Sequence, residues 1–316
     1  MHAMDSPPLN AMCMVTRDTG AFLAFAQGCA PDFGPAMAKA AFLVTPDGFA
    51  RAEQSAGDNH YMAAAATFDA GQALLEHRGL HRALSEVLPT IAFAGDPATP
   101  DALFPNNVFA TAPGTVVIGR MRHAVRQREA ERDDIRGFFR DALGYDEVDL
   151  SQQAHPCELT GALVIDRARG LGFCGLSERC DEQGAALMHA AFGLRATLLF
   201  DLAPGEYHTN VVLAVLAGRA ALICAEGFVD VQVVDTIAAL YAPHALRLSP
   251  HEHASFAGNA IALSDDVAWM SAAAEQALTT GSRDALGAAG FTIRSVPLTA
   301  IEAGGGSLRC CVGEIF

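Results

Sequence analysis

Short polar segments followed by apolar runs recur along the chain at a nearly constant spacing. Each apolar run has four to six β-branched, aromatic or small residues. Runs this short, bounded by glycine or polar residues, are typical of buried strands. A period near 50 residues is typical of repeat or propeller architectures. The polar segments end at Asn107, Gly161, Asn210, Asn259 and Cys310, which are 54, 49, 49 and 51 residues apart.

Amphipathic helical patterns separate these predicted strands. Apolar residues recur there at intervals of three and four, often beside a glycine that would end a helix. Five repeats of strands and a helix predict an α/β fold: a five-bladed ring with helices outside, formed as a single domain by residues 1–316. Such a ring would bring the polar segments together in one central pocket. The predicted helices span residues 69–88, 125–143, 181–192, 231–241 and 266–286.

Composition and charge exclude several classes of partner. The chain has 51% hydrophobic and 18% charged residues and a formal net charge of −15, so we expect no affinity for nucleic acid or anionic lipid. No stretch has the roughly 18 to 20 apolar residues of a membrane span, and the N-terminus lacks the pattern of a signal peptide, so we expect a cytoplasmic protein. Arginines alternate with acids over residues 120–134, which indicates a solvated helix face. These arginines are Arg120, Arg122, Arg126, Arg128 and Arg132.

The eight cysteines form no CxxC pair, so neither a zinc site nor a redox motif is predicted. Cys310 differs from the others because three glycines, at residues 304–306, precede it. Glycines allow the backbone to approach closely, and the thiol would then face the pocket. From the residues alone, a buried structural cysteine is an equally good interpretation.

Two further titratable groups stand at the start of predicted strands. His208 lies in such a position, where it could transfer protons, although a lone histidine is more often structural. Glu158 directly precedes an apolar strand and therefore needs a cationic partner. That partner could be Arg309 in a structural salt bridge, or a ligand. Asp101 could supply a second acid or could cap a turn.

Five motifs, taken in chain order, resemble the superfamily of arginine deiminase, dimethylarginine dimethylaminohydrolase and the amidinotransferases. The likeness is greatest to the citrulline-utilization hydrolases. It extends from about residue 95 to the C-terminus and is faint before Asp96. This resemblance implies the five-bladed pentein fold. The motifs are DALFPNN (101–107), ELTG (158–161), YHTNV (207–211), FAGN (256–259) and GGGSLRC (304–310).

The same resemblance implies a mechanism. Cys310 would attack the central carbon of a guanidino or ureido group and form a covalent S-linked intermediate, while His208 acts as general acid and then as general base. Glu158 would hold the planar head of the substrate with help from Asp101. No metal or organic cofactor is implied. The other residues assigned to substrate binding are Asn106, Asn107, Asn210 and Arg309.

The chain departs from the family pattern at two places. Relatives that act on arginine carry an acid at the position of Asn107 and often at Asn106, and an amide there also suits a neutral ureido group. Leu159 stands where the pattern has glycine, which puts the direction of Glu158 in doubt. Arg17 and Arg179 are candidates for binding a substrate carboxylate. Amidino transfer by the same residues and a non-enzymatic binding protein stay open as alternatives, as does a homodimer.

Overall fold

The computed structural model describes residues 14–316, which form five small β-sheets joined by helices and turns. The strands of these sheets are short and mostly buried. They are β1 (Met14–Thr16), β2 (Ala40–Val44), β3 (Thr90–Phe93), β4 (Phe109–Ala112), β5 (Thr115–Ile118), β6 (Asp146–Asp149), β7 (Leu163–Asp166), β8 (Leu171–Leu176), β9 (Ala196–Asp201), β10 (Leu213–Leu216), β11 (Ala220–Ile223), β12 (Ala245–Arg247), β13 (Ile261–Ala262), β14 (Val267–Ser271), β15 (Thr292–Val296) and β16 (Gly313–Ile315).

The helices range from single turns to the 16-residue α4. They are α1 (Thr19–Gln27), α2 (Glu53–Ala56), α3 (His60–Ala64), α4 (Ala70–Ser85), α5 (Ala124–Gln127), α6 (Asp133–Gly137), α7 (Leu159–Ala162), α8 (Glu182–Ala191), α9 (Thr209–Val212), α10 (Val231–Leu240), α11 (Pro250–Ala254), α12 (Ala272–Ala277), α13 (Thr280–Ala288), α14 (Thr299–Glu302) and α15 (Leu308–Cys311). Short 3-10 helices span Pro105–Asn107, Arg128–Glu131 and Ala225–Gly227, and a π-helix spans Phe138–Ala142.

Helix starts are fixed by side chains that accept hydrogen bonds from free backbone N–H groups of the first turn. Asp69, Asp181 and Asp230 do this for α4, α8 and α10. Ser249 forms a reciprocal pair with Glu252 at α11. Such caps stabilise a helix by about 1 kcal/mol each. The sequence therefore sets these helix boundaries locally.

Each sheet repeats one strand pattern. The first strand pairs antiparallel with the second, and the second pairs parallel with the third, as in β4, β5 and β6. The next three sheets are β7–β9, β10–β12 and β13–β15, with β1 added beside β9. The fifth combines β16 with β2 and β3, so the C-terminal strand completes a sheet begun near residue 40. Every parallel pair is linked through helical segments, as a parallel crossover requires.

The first strands of the sheets lie close to one another. β16 contacts β4, β7 contacts β10, and β10 contacts β13. One helical turn precedes most of them, namely Pro105–Asn107, α7, α9 and α15. The turn Pro105–Asn107 contacts both α7 and α15, and α7 contacts α9. The ends of four sheets therefore meet at one place, and the polar motifs lie there.

Most of the predicted elements are confirmed. A strand follows each of the five polar segments, and helices occupy most of 69–88, 181–192 and 231–241. The helix predicted over 125–143 is wrong as one element, since Arg132 takes an extended conformation that separates α5 and a 3-10 turn from α6. The helix predicted over 266–286 is wrong at its start, because β14 occupies Val267–Ser271 and Ser271 then caps α12. No helix within residues 14–316 has both the length and the apolar character needed to cross a bilayer.

Candidate active site

Cys310 lies in the single turn α15, held between asparagines from two other sheets. Its side chain is buried, with 1% exposure. Asn259 Nδ2 donates to Cys310 Sγ at 3.3 Å, and the thiol faces Asn210 Oδ1 at 3.7 Å. Burial raises the pKa of the Cys310 thiol, although the hydrogen bond from Asn259 opposes the shift. The free protein therefore holds Cys310 as a neutral thiol at pH 7.

The glycines before Cys310 pack so closely against neighbouring residues that larger side chains would not fit there. A methyl group added to Gly306 would lie 3.0 Å from the Phe104 ring and 3.1 Å from Cys310 Cβ. Gly305 has a φ of 77°, and a methyl group there would lie 2.2 Å from the Asn59 side chain. The Tyr207 hydroxyl donates to the Gly305 carbonyl. The three glycines thus let the loop pack tightly beside the thiol.

His208 is fully buried at the cap of α9, and Glu158 fixes its orientation. His208 Nε2 lies 2.8 Å from Glu158 Oε2. Because an ionised carboxylate only accepts hydrogen bonds, Nε2 carries the proton and Nδ1 keeps a free lone pair. Burial lowers the pKa of His208, although the bond to Glu158 opposes the shift. The imidazole is therefore neutral at pH 7, and Nδ1 is its basic atom.

Glu158 is saturated by protein donors. Its oxygens also accept from the Arg122 backbone N–H at 3.0 Å and from Arg179 Nη1 at 3.2 Å, and Arg126 Nη1 lies 4.0 Å away. Burial opposes ionisation, but Arg179 and His208 hold the pKa of Glu158 well below its usual range. A carboxylate with these partners positions the imidazole and has little capacity left for a ligand. The structure thus favours orientation of His208 over the direct substrate contact that the resemblance implied for Glu158.

The salt bridge between Glu158 and Arg309, which the sequence left open, does not form. Arg309 pairs with Glu314 at 2.8 Å and donates to the Val312 carbonyl. It lines a second, narrow cavity together with Arg167 and Glu314. The side chain of Asn210 is common to that cavity and to the surroundings of Cys310. Arg309 is therefore not grouped with Asp101 and Asn107.

A small cavity joins Cys310 to the first motif. It is nearly closed, with a volume of about 10 Å³. Cys310 and Asn107 contribute side chains, as does Asp101, whose Oδ2 accepts from Ser55 Oγ at 2.6 Å. Burial raises the pKa of the Asp101 carboxyl. No group of three or more His, Cys, Asp or Glu side chains within residues 14–316 is arranged to hold a metal ion.

Unsatisfied polar atoms occur in the lining of this cavity, at Asp101 and Asn107, and in site residues outside that lining, at Asn106, His208 and Asn210. Eleven buried side-chain nitrogen or oxygen atoms of the described chain have no hydrogen-bond partner, and six of them belong to residues predicted for the site. Buried polar groups are nearly always paired, so such a concentration is typical of a site that binds a polar ligand. Both donors and acceptors are present, which suits a planar group rich in N–H and C=O. The atoms are Asp101 Oδ1, Asn106 Oδ1 and Nδ2, Asn107 Oδ1, His208 Nδ1 and Asn210 Nδ2.

Gly161 is the point where the histidine and the first motif meet. A methyl group built on Gly161 would lie 2.4 Å from Asn107 Oδ1 and 2.9 Å from His208 Nδ1. The two unpaired atoms therefore flank one small space. Asn107 lines the cavity that Cys310 also lines. The geometry thus places the predicted base beside Asn107, and Asn107 on the cavity that the predicted nucleophile also lines.

Leu159 takes the unusual backbone angle that a glycine would adopt freely. Its φ is 25°, and its side chain is fully buried. Gly119 leaves the space for that side chain, since a methyl group on Gly119 would lie 2.8 Å from Leu159 Cγ. Packing therefore holds Leu159 in a strained conformation. Glu158 still reaches His208, so the departure from the family pattern does not misdirect the carboxylate.

One of the two arginines of the cavity was not assigned correctly from the sequence. Arg126 was expected on a solvated helix face but is 3% exposed and pairs with Glu129 at 2.8 Å. The opposite charge three residues further along the sequence, at Glu129, was the one sequence feature that could have indicated this buried ion pair. Arg179, a candidate from sequence, pairs with Asp58 at 2.6 Å and also lines the cavity. The cavity thus contains two cations, each already paired with carboxylates of the protein.

Residues 53–64, which we call the covering segment, close the cavity from outside. The segment comprises α2, α3 and the turn between them. Ser55, Asn59 and Met62 line the cavity from this side. Asn59 Nδ2 donates to the Gly305 carbonyl at 3.4 Å. The sequence motifs assign no role to this part of the chain, because the likeness to the family begins only near residue 95.

Comparison with known proteins shows the family of the chain. A family model described as N,N dimethylarginine dimethylhydrolase, eukaryotic, matches residues 45–316. The chain belongs to the guanidino-group-modifying pentein superfamily. The match includes the covering segment, so the family extends further toward the N-terminus than the motifs indicated. No curated protein sequence is significantly similar to the chain.

Solved structures share the fold at low sequence identity. The N-terminal domain of ArgZ, an arginine dihydrolase of cyanobacteria, bound to substrate, has a TM-score of 0.76 and 20% identity, over 87% of this chain and 97% of that one. Unliganded AgrE has a TM-score of 0.75 and 20% identity, over 87% of this chain and 39% of that one. A dimethylarginine dimethylaminohydrolase in an adduct with S-methyl-L-thiocitrulline has a TM-score of 0.68 and 18% identity, over 88% of this chain and all of that one. These likenesses establish a mixed α/β fold common to the group.

Proposed function

We propose that this protein hydrolyses a C–N bond of a guanidino or ureido amino-acid derivative through a covalent intermediate on Cys310. The observation that carries the proposal is that Cys310 and Asn107 line one cavity, while the unpaired His208 Nδ1 lies beside the unpaired Asn107 Oδ1. A thiol, a neutral imidazole and amide groups are the parts that nucleophilic attack on a planar amidine carbon requires. Membership in a superfamily of guanidino-modifying enzymes supports the same reaction class.

In the first half of the reaction, Cys310 Sγ bonds to the central carbon and one C–N bond breaks. The proton of the thiol passes to His208 Nδ1 and then to the departing nitrogen, which leaves as ammonia or an amine. Glu158 stabilises the imidazolium formed between these transfers, because its carboxylate lies 2.8 Å from Nε2. A cationic guanidinium in the cavity would also favour the thiolate, which offsets the effect of burial on Cys310.

In the second half, water replaces the departed amine. His208 Nδ1 takes a proton from the water as it attacks the S-linked carbon, and the C–S bond then breaks to restore the Cys310 thiol. Neutral His208 is available as a base at pH 7, because burial lowers its pKa. The same imidazole therefore acts as acid and then as base, as two-step covalent catalysis requires.

The amides of the first motif extend the range of substrates. The Asn107 side chain can accept from a guanidinium N–H or donate to a ureido C=O, whereas a carboxylate could only accept. Asp101 is then the one acidic side chain with an unpaired oxygen in the cavity. We propose that the site accepts both a guanidino group and the ureido group that its hydrolysis produces. Two successive hydrolyses would correspond to the activity of ArgZ, an arginine dihydrolase.

The amino-acid end of the substrate would lie toward the buried arginines. Arg179 and Arg126 both line the cavity, and a guanidinium fork suits a carboxylate. We also propose that the five sheets are the blades of one propeller within a single domain. The repeated strand order and the contacts between the first strands of the sheets support this arrangement.

Turnover assays test the proposed function. The protein is incubated with arginine, methylated arginines, agmatine, citrulline and succinylarginine, and the release of ammonia, amine, citrulline and ornithine is measured. We expect turnover of at least one compound, and none of it in Cys310→Ser or His208→Ala. Addition of an acceptor amine separates hydrolysis from amidino transfer, because transfer would yield an amidinated acceptor. Absence of turnover and of binding for every compound would contradict the proposal.

A further inference from the structure

The ion pair between Arg179 and Asp58 joins the cavity to the covering segment. Arg179 Nε donates to Asp58 Oδ2 at 2.7 Å, and Arg179 Nη2 donates to Asp58 Oδ1 at 2.6 Å. This is the two-pronged geometry in which a guanidinium binds a carboxylate most strongly. The arginine is 2% exposed and the aspartate side chain 17%. The pair is therefore largely shielded from solvent and holds the covering segment against the sheets.

Asp58 occupies the edge of Arg179 that a ligand carboxylate would use. The other donors of Arg179 reach Glu158 Oε2 at 3.2 Å and the Ser55 carbonyl at 3.2 Å. One N–H of Nη1 stays unassigned, so no second two-pronged contact can form while Asp58 is bound. Asp58 also lies on an open groove outside the cavity, lined by Glu178, Glu206 and Tyr207. Asp58 therefore faces this groove on one side and contacts Arg179, which lines the cavity, on the other.

We propose that Asp58 competes with the carboxylate of the substrate for Arg179 and so sets the preference for amino-acid substrates over their decarboxylated analogues. This inference rests on the function proposed above. In the free protein Asp58 holds Arg179, and an entering α-carboxylate displaces it. A guanidino amine without a carboxylate leaves the ion pair intact. Asp58 is thus a positioning residue that determines specificity.

His123 gives the displaced carboxylate a second partner. His123 Nε2 lies 3.2 Å from both oxygens of Asp58, and it is carried by the turn before α5. When Asp58 leaves Arg179, it can remain bound to this imidazole. Gln54 accepts from the Val125 N–H at 3.1 Å and ties the covering segment to the same turn. The exchange therefore needs only a local movement of Asp58, and the segment stays attached.

L-Arginine and agmatine test the proposal, because they differ only in the α-carboxylate. Their kcat/KM values are measured for the wild-type protein and for Asp58→Asn, and their dissociation constants are measured calorimetrically in the Cys310→Ser background. Asparagine has the same shape but lacks the charge that holds Arg179. We expect the preference for arginine over agmatine to rise about tenfold in Asp58→Asn, mainly through a lower KM for arginine. Asp58→Glu keeps the charge and should change the preference less.

Glu53→Gln is the matched control, since Glu53 lies in the same segment but pairs only with the exposed Arg51. It should leave both substrates unaffected. Equal weakening of arginine and agmatine in Asp58→Asn would show that Asp58 only anchors the segment, and would overturn the inference while the proposed function stands. A wild-type protein that neither binds nor turns over either compound would overturn the inference together with the guanidino branch of the proposed function.

Discussion

Gly161→Ala is the perturbation whose effect follows most directly from the geometry of the site. The new methyl group would lie 2.4 Å from Asn107 Oδ1 and 2.9 Å from both His208 Nδ1 and Cε1. Non-bonded carbon atoms pack at about 3.5–4.0 Å, so the neighbours must move by roughly 1 Å in total. Glu158 holds His208 at 2.8 Å, whereas Asn107 Oδ1 has no partner. Asn107 should therefore move most, with a smaller rotation of the imidazole.

A displacement of this size at reacting groups lowers kcat by about 100-fold. Overpacking in a buried site also costs about 1–3 kcal/mol of folding stability. The assay measures kcat and KM by ammonia release on the best substrate from the turnover screen, together with the midpoint of thermal unfolding. Loss of activity should exceed what the fraction unfolded at the assay temperature explains.

Gly79→Ala is the control for this prediction, because it is the same substitution in the exposed middle of α4. A methyl group there has no atom within 4 Å. Replacing glycine by alanine inside a helix stabilises a protein by about 0.5–1 kcal/mol, so the unfolding midpoint should rise slightly and kcat should not change. A Gly161→Ala protein that keeps more than half of the wild-type kcat would refute the placement of His208 and Asn107 around one space.

Three further outcomes follow from the site. Glu158→Gln replaces the carboxylate by an amide that can donate as well as accept, so the tautomer of His208 is no longer fixed and the imidazolium loses its counter-charge. The kcat should fall about 10²- to 10⁴-fold, and a fall below tenfold would argue against orientation by Glu158. Burial lowers the pKa of His208 and raises that of Cys310, so the form with a neutral imidazole and a protonated thiol persists across neutral pH. The kcat/KM for arginine should therefore be constant from about pH 6.5 to 8.5 and fall only outside that range. A decrease in kcat/KM on the acid side that begins above pH 6.5 would contradict this. Leu159→Gly should lower stability in urea unfolding by about 2–4 kcal/mol, since the lost burial exceeds the relief of strain, and a stabilised variant would show that strain dominates.

Much of the repeat could be predicted because it is encoded locally. Apolar runs bounded by polar residues specify strands, and a constant period specifies repeated units, so the strands after Asn107, Gly161, Asn210, Asn259 and Cys310 were found from the sequence. The 266–286 segment failed because Val267–Ser271 satisfies helical spacing and strand composition equally. The strand forms because it pairs in parallel with β15, which lies more than 20 residues further along the chain, and a local sequence pattern does not reveal that contact.

The candidate site was predicted where a single motif carries the residue, and was incomplete where residues pair at long range. Cys310 and His208 stand at the start of repeats, so the period predicts that they lie near each other. The partners of Arg179 did not, because Asp58 is 121 residues away in the sequence and belongs to a segment without a motif. Charge alternation around Arg126 indicated a solvated surface, but burial against Glu129 reverses that interpretation. Long-range ion pairs leave no periodic signal.

The most direct test of the central claim is to trap the covalent intermediate. The wild-type protein is mixed with the best substrate, quenched in acid within the first turnovers, and digested for peptide mass spectrometry. The account predicts that the peptide containing Cys310 gains the mass of the substrate less the ammonia or amine that departs, and that this gain is absent in Cys310→Ser. Steady turnover with no adduct on Cys310, or an adduct on another cysteine, would contradict it.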